Sequence, residues 1–170
     1  MRAEGRRTYT GSSMSLLTWL ESQGFAVWVL ESPSIWAQPT VLTLHTVGLA
    51  VLVGASWVLD MRLLGIGRNI PLSAFRWVFS AISIGLIVNV ITGVLLFSAR
   101  ATKWGMALPF LVKMILVIAS AATVMPIRSY VLRGVEEGAA MGRARLLAIA
   151  SIVAWTSAVT AGRLLAYLVP

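Results

Sequence analysis

The chain contains no cysteine, and only 12% of its 170 residues are charged. Without thiols it cannot form a disulfide, a cysteine-ligated iron–sulfur cluster or a thiolate zinc site. Its single histidine, His45, also excludes bis-histidine haem ligation within one chain. Soluble domains carry about 25% charged residues, so this low value, together with 58% hydrophobic residues, indicates a membrane protein.

The net charge of +8 comes from basic residues that lie in short gaps between apolar runs. They form no continuous stripe of the kind that binds nucleic acid. The distribution is typical of positive charge that sets the orientation of membrane helices. We therefore predict that the chain binds the lipid bilayer and no nucleic acid. Because no pattern resembles a hydrolytic triad, a phosphate loop or a pair of catalytic carboxylates, we expect no enzymatic activity of the soluble type.

Four apolar runs are long enough to cross a membrane. They cover about residues 39–59, 75–98, 106–125 and 146–169. Each meets the roughly 20 residues that a ~30 Å hydrocarbon core requires, and backbone groups in lipid must be satisfied within each segment, as in a helix. The sequence predicts an all-α fold: a single membrane domain over residues 14–170, built as an integral membrane four-helix bundle.

The N-terminal region differs from the four runs. Residues 14–36 mix tryptophans with acidic residues, and Glu21 would be costly in the middle of a span. We predict an interfacial helical segment here, with Trp19, Trp28 and Trp36 at headgroup depth. Residues 1–13 are expected to be a disordered or non-native tail, and Met14 is an alternative to Met1 as the true start.

Arginine and lysine are distributed unevenly among the gaps. The gap after the first run contains Arg62 and Arg68, and the gap before the fourth run contains four further arginines. The gap between the second and third runs contains only Arg100 and Lys103. The richer gaps are expected in the cytoplasm, which predicts a multi-pass bacterial inner-membrane protein with both termini periplasmic. Asp60 is interpreted as the surface partner of Arg62 where the first span ends.

Small residues indicate where the helices pack. Gly85, Asn89 and Gly93 are four apart in the second run, so they share one helix face and allow another backbone to approach. Asn89 can then form a hydrogen bond across the interface. Ala50 and Gly54, also four residues apart, are predicted to allow a similar close approach on the first helix.

Ionisable groups inside membrane spans carry a large free-energy cost unless they are paired or hydrated. With the predicted orientation and a rise of about 1.5 Å per residue, His45, Lys113 and Arg163 are expected at similar depth in the outer leaflet. Glu21 and Glu31 of the interfacial segment are candidates to pair with these cations. This convergence predicts a polar cluster near the outer face.

Two interpretations of this cluster stay open. As a ligand site it would take a haem, a quinone or a lipid headgroup, and Gly48, three residues after His45, would leave room for a flat group. The candidate ligand-binding residues are His45, Lys113, Arg163 and Tyr167. A copper(I) site would use His45 with Met106. Alternatively, Lys and Arg near helix ends extend to the interface, and a membrane histidine can simply donate a hydrogen bond between helices.

Three functions follow from these patterns. The favoured one is a non-catalytic accessory protein or membrane-complex subunit, associated with other membrane proteins or with copies of itself. The second is a cofactor-binding redox protein that uses His45 for haem, quinone or copper. The third is a small transporter or channel.

The stretch from Leu44 to Gly65 and the segment Ala161–Tyr167 resemble a family of small bacterial inner-membrane proteins classed as a domain of unknown function. The resemblance covers residue 14 to the C-terminus and implies about four spans with no established activity. The family is distantly similar to copper-resistance D proteins and cytochrome b561-type membrane bundles. Relatives often carry Asn and His late in the third span, where residues 120–126 read SAATVMP here, and this difference argues against haem.

Overall fold

The computed structural model describes residues 7–34, 36–134 and 138–168. The described residues form α-helices and one 3₁₀ turn, with no strand among them. The elements are α1 (Arg7–Glu21), α2 (Gly24–Glu31), α3 (Ala37–Leu64), the 3₁₀ turn (Leu72–Phe75), α4 (Val78–Ser98), α5 (Ala101–Trp104), α6 (Leu108–Arg133) and α7 (Gly138–Leu168). The predicted all-α fold is confirmed.

Four segments of the described chain are long and apolar enough to cross a membrane. They are Ala37–Leu64, Leu72–Ser98, Leu108–Arg133 and Ala140–Leu165, each of which contains an 18-residue window with a mean hydropathy of 1.5 to 2.2. The prediction of an integral membrane four-helix bundle is confirmed. Helices α3, α6 and α7 are longer than their apolar runs, and α6 continues through Pro126 to Arg133. The length of an apolar run reflects the thickness of the hydrocarbon core, whereas the helix that contains it can extend into the headgroup region and beyond.

The spanning helices are arranged in the order α4–α3–α7–α6. The largest interfaces join α3 to α4, α6 to α7 and α3 to α7, so α4 and α6 are the outer members of the row. The 3₁₀ turn packs against α6 at the end of the bundle that carries Arg133. The side chains of Leu59, Leu63 and Trp155 are almost completely buried among these helices. The arrangement leaves α6 less covered by protein than the other three spans.

Glycines allow the close approach of α3 and α4. A Cβ atom at Gly85 would lie 2.8 Å from the backbone nitrogen of Leu52 and 2.9 Å from the carbonyl oxygen of Gly48. A Cβ at Gly48 would lie 2.8 Å from Nδ2 of Asn89. Nδ2 of Asn89 donates to the carbonyl of Gly85 in its own helix, at 3.2 Å, rather than across the interface. Both glycines therefore sit where the two backbones are nearest.

Ala50 and Gly54 lie on a different face of α3. Ala50 is exposed, and a Cβ at Gly54 would have no neighbouring atom within 4 Å. The predicted packing role of these two residues is wrong. Gly48 rather than Gly54 faces α4. A four-residue spacing shows that two residues share a helix face, but it does not show which face meets the neighbouring helix.

Helices α1 and α2 are too short to span a ~30 Å core at 1.5 Å per residue. Helix α1 begins at Arg7, so the predicted disordered tail, residues 1–13, is helical from residue 7; residues 1–6 lie outside the described part of the chain. Oε1 of Glu21 accepts hydrogen bonds from the backbone nitrogen and the hydroxyl of Thr102, at 2.8 and 2.7 Å. Glu21 therefore attaches α1 to the connection between α4 and α6.

Candidate functional site

His45 is held between two spanning helices. Its Nδ1 lies 2.9 Å from the hydroxyl oxygen of Thr92 on α4. The same hydroxyl lies 2.6 Å from the carbonyl oxygen of Val88, to which it donates its only hydrogen. Nδ1 of the neutral imidazole must then carry the proton and donate to Thr92, which leaves the lone pair on Nε2. The ring thus links α3 to α4.

Lys113 joins this outer cluster from α6. Its charge acts on the His45 ring, and its Nζ lies 3.7 Å from the position that a Cβ would take at Gly162 on α7. The absence of a side chain at Gly162 provides room for the lysine. The structure therefore places Lys113 on α6 within electrostatic range of His45 on α3.

The other predicted site residues lie at the surface. Arg163 is exposed, and Tyr167 is 78% exposed. Met106 is 59% exposed. Among the described residues, no group of three or more histidine or acidic side chains is arranged to hold a metal ion. The outer cluster thus consists of His45, its hydroxyl partner and Lys113.

A second polar site lies at the opposite end of the bundle, around the only aspartate of the chain. The side chain of Asp60 is 0% exposed, and neither carboxyl oxygen has a hydrogen-bond partner. The interpretation of Asp60 as the surface partner of Arg62 is therefore wrong. Arg62 is also buried, and it donates to the carbonyls of Ile70 and Arg68 at 2.8 and 3.3 Å. Helix α3 continues to Leu64, which places Asp60 inside the bundle.

A cavity of about 10 Å³ adjoins the Asp60 carboxyl. Two hydroxyl side chains share its wall, Ser56 on α3 and Ser151 on α7. Ser56 donates to the carbonyl of Leu52 at 2.8 Å, so its oxygen can still accept. The Ser151 hydroxyl lies close enough to affect the Asp60 carboxyl, although neither group has a hydrogen bond of normal geometry. The sequence does contain a signal for this site, since Ser56 and Asp60 are four apart on one helix face.

A larger cleft of about 150 Å³ opens between α4 and α6. Its wall includes Leu52, Phe79, Ser83, Met125, Arg128 and Trp155. The Arg128 guanidinium lies 5.8 Å from the centre of the Phe79 ring and bounds one end. Trp155 is 0% exposed, and its indole nitrogen has no hydrogen-bond partner. Because Phe79 lines both cavities, the cleft and the Asp60 cavity are neighbours.

The contact between His45 and Thr92 has a measurable consequence. Replacing His45 by Leu, or Thr92 by Val, is expected to lower the free energy of unfolding by about 1 kcal/mol, because interhelical hydrogen bonds in membranes average about 0.6 kcal/mol and rarely exceed 2. The double variant should lose less than the sum of the two single changes. Unfolding of the wild-type protein, the two single variants and the double variant in mixed micelles measures this coupling. Strictly additive losses of stability would show that the hydrogen bond contributes nothing.

Comparison with known proteins places the chain in a family. The model of a family of unknown function, DUF6644, matches residues 31–168. This range contains all four spanning helices and leaves α1 outside. No curated protein and no solved structure matches the chain. The resemblance seen in the sequence is confirmed: this four-helix membrane protein belongs to the DUF6644 family of unknown function.

Proposed function

We propose that this protein is a non-catalytic accessory component of a bacterial inner membrane, and that it binds the ring of a lipid-soluble quinone in the cleft between α4 and α6. The observation that carries the proposal is the buried indole N–H of Trp155, a residue of the cleft wall, which has no hydrogen-bond partner. With both termini periplasmic, the cleft lies toward the cytoplasmic side. The arginines near that end, such as Arg128 and Arg133, support this orientation.

The size of the cleft suits one six-membered ring. A cavity of about 150 Å³ lined by apolar side chains is the size that holds benzene in a protein interior, and the cleft has this volume. Phe79, on the wall of the cleft, provides an aromatic surface that favours stacked or edge-to-face contacts with a flat ring. A haem would need a much larger space. The cleft therefore supports a ring-sized ligand over a porphyrin.

The polar chemistry of the cleft suits a carbonyl acceptor. An indole N–H is a donor only, and a buried donor without a partner costs about 1–3 kcal/mol. A quinone carbonyl near Trp155 would remove this cost. The Ser83 hydroxyl donates to the carbonyl of Phe79 at 2.9 Å, so its oxygen can accept from a hydroxyl of the reduced ring.

The position of the cleft allows entry from the lipid. Helices α4 and α6 are at the two ends of the helix row and share no extensive interface. Met125, on the wall of the cleft, is 71% exposed, and flexible methionines adapt to ligands of irregular shape. His45 does not line the cleft, so the proposal does not use it as a cofactor ligand. An isoprenoid tail would stay in the bilayer while the ring occupied the cleft.

A titration with a short-chain ubiquinone in nanodiscs tests the proposal. We expect quenching of tryptophan fluorescence that saturates, and a dissociation constant about tenfold higher for Trp155→Phe, which keeps the ring but loses the donor, since tenfold corresponds to 1.4 kcal/mol. Trp77→Phe is the matched control, because Trp77 is 69% exposed and does not line the cleft. Ala121→Leu, which fills the cleft, should abolish binding.

Three results would overturn the assignment. They are no saturable quenching by the quinone, the same affinity loss in Trp77→Phe as in Trp155→Phe, or complete displacement of the quinone by phospholipid acyl chains. The last result would identify the cleft as a lipid site.

A further inference from the structure

We propose that Asp60, Ser56 and Ser151 form a buried binding site for one small monovalent cation, either a proton or a sodium ion. The three side chains converge on a small cavity near the end of α3, and the two carboxyl oxygens and the Ser151 hydroxyl have no hydrogen-bond partner. This inference does not depend on the quinone proposal.

The charge of an ionised Asp60 must be neutralised. The carboxyl is 0% exposed, and an isolated carboxylate away from water is among the most costly groups that a protein can bury. Arg62 on the same helix donates to the carbonyls of Ile70 and Arg68, and neither oxygen of Asp60 accepts a hydrogen bond from it. Since no described side chain donates a hydrogen bond to it, an ionised carboxylate at this position requires a cation from solution.

Basic residues on the other packed elements lie outside the Asp60 cavity, and the Nε of one of them, Arg145, is buried without a hydrogen-bond partner. Arg76 precedes α4 and is exposed, and the Arg128 guanidinium on α6 lies over the ring of Phe79. Arg145 lies six residues before Ser151, about 9 Å along α7. None of the three lines the Asp60 cavity. Their side chains therefore do not fill the site.

The cavity selects a small ion. Its volume of about 10 Å³ is about that of one water-sized sphere, so an organic cation is too large. Two carboxyl oxygens and two hydroxyl oxygens are hard ligands, which suit a proton or an alkali ion rather than a soft metal. Calcium takes six to eight oxygens and carries twice the charge that one carboxylate balances. A monovalent ion matches both the space and the charge.

Proton and sodium would use the same oxygens differently. A proton would reside on the carboxyl, which could then donate to the oxygen of Ser151. A sodium ion would be coordinated by the carboxylate together with the hydroxyl oxygens of Ser56 and Ser151. In both cases the neutral isostere Asp60→Asn removes the bound charge and keeps the shape of the site.

The thermal stability of purified full-length protein in nanodiscs tests the site and distinguishes the two ions. If the ion is sodium, replacing potassium chloride by sodium chloride at constant ionic strength and pH should raise the midpoint of unfolding. Above the dissociation constant, the rise should be about 3–5 °C for each tenfold increase in sodium. If the ion is a proton, the midpoint should not depend on sodium and should fall with rising pH, because the ionised carboxyl is costly. Asp60→Asn should lose either response.

Infrared spectroscopy gives a readout that is independent of stability. A proton on Asp60 should produce a protonated-carboxyl stretching band near neutral pH that is absent in Asp60→Asn and shifted in Ser151→Ala. Bound sodium would instead give a sodium-dependent carboxylate band. Ser120→Ala is the matched control, because Ser120 is 0% exposed and bonded to Leu116 within its own helix, but does not line the cavity.

The proposal is overturned if the wild-type protein shows neither response nor either band, or if Asp60→Asn retains them. If Asp60→Asn does not fold, Ser151→Ala decides the question. An unchanged sodium response and an unshifted carboxyl band in that variant would overturn the three-residue site.

Discussion

Replacing Gly85 by Leu is expected to lower the free energy of unfolding by about 3 kcal/mol, the upper end of the usual range for overpacking a tight contact. A Cβ at this position would lie 2.8 Å from the backbone nitrogen of Leu52 and 2.9 Å from the carbonyl of Gly48. Neither atom can move aside as a flexible side chain can. The α3–α4 interface must separate, and the contacts around it are lost. Unfolding in mixed micelles, followed by helical circular dichroism, measures the effect.

Gly54→Leu is the matched control for this change. It introduces the same side chain into the neighbouring helix, at a position where a Cβ meets no atom within 4 Å. We expect a change within about 0.5 kcal/mol, the usual range for substitutions away from packed features. If both variants were equally stable, the close approach of α3 and α4 would not exist in the membrane. If both unfolded, the lipid-facing position of Gly54 would be wrong.

Replacing Arg62 by Met is expected to lower the free energy of unfolding by about 3 kcal/mol. The guanidinium is 6% exposed and donates to the carbonyls of Ile70 and Arg68, and hydrogen bonds from charged groups contribute about 1.5–3 kcal/mol each. These bonds hold the connection between α3 and α4, in which Gly65 and Gly67 have positive φ angles of 108° and 69°. Methionine fills a similar volume but leaves both carbonyls without this donor.

Limited proteolysis adds a local measurement to the unfolding experiment. Residues 65–71 should be cleaved faster in Arg62→Met than in the wild-type protein. Arg133→Met is the control, since it removes one positive charge from the same end of the bundle at an exposed position. Equal cleavage in the two variants would mean that general charge, rather than the buried donor, keeps the connection ordered.

The outer cluster illustrates how far depth can be predicted from sequence. Position along a spanning helix determines depth, because each residue adds about 1.5 Å, and on this basis His45, Lys113 and Arg163 were expected together. The structure places the first two in one cluster and leaves the Arg163 side chain exposed. Depth does not specify the side of the helix on which a residue lies, and a one-residue change of position rotates a side chain by about 100°.

Asp60 shows the opposite case. A single carboxylate at the end of an apolar run was interpreted as a surface residue, but the helix continues for another turn and the side chain is 0% exposed. The Ser151 hydroxyl, which lines the same cavity from α7, is 91 residues away in the chain. No local pattern predicts a contact between such distant positions. The unpaired donor of Trp155 was not predicted for the same reason.

The sequence alone determined the membrane class, the all-α fold, the number of spans and the family, because hydrophobic length and backbone hydrogen bonding in lipid act within each segment. Only the tertiary structure decided the helix order α4–α3–α7–α6, the cleft between α4 and α6 and the burial of Asp60. In lipid, apolar side chains do not drive helices together, so helix neighbours are chosen by close packing and a few polar contacts. Those contacts join residues that are distant in the chain, and a single sequence does not reveal them.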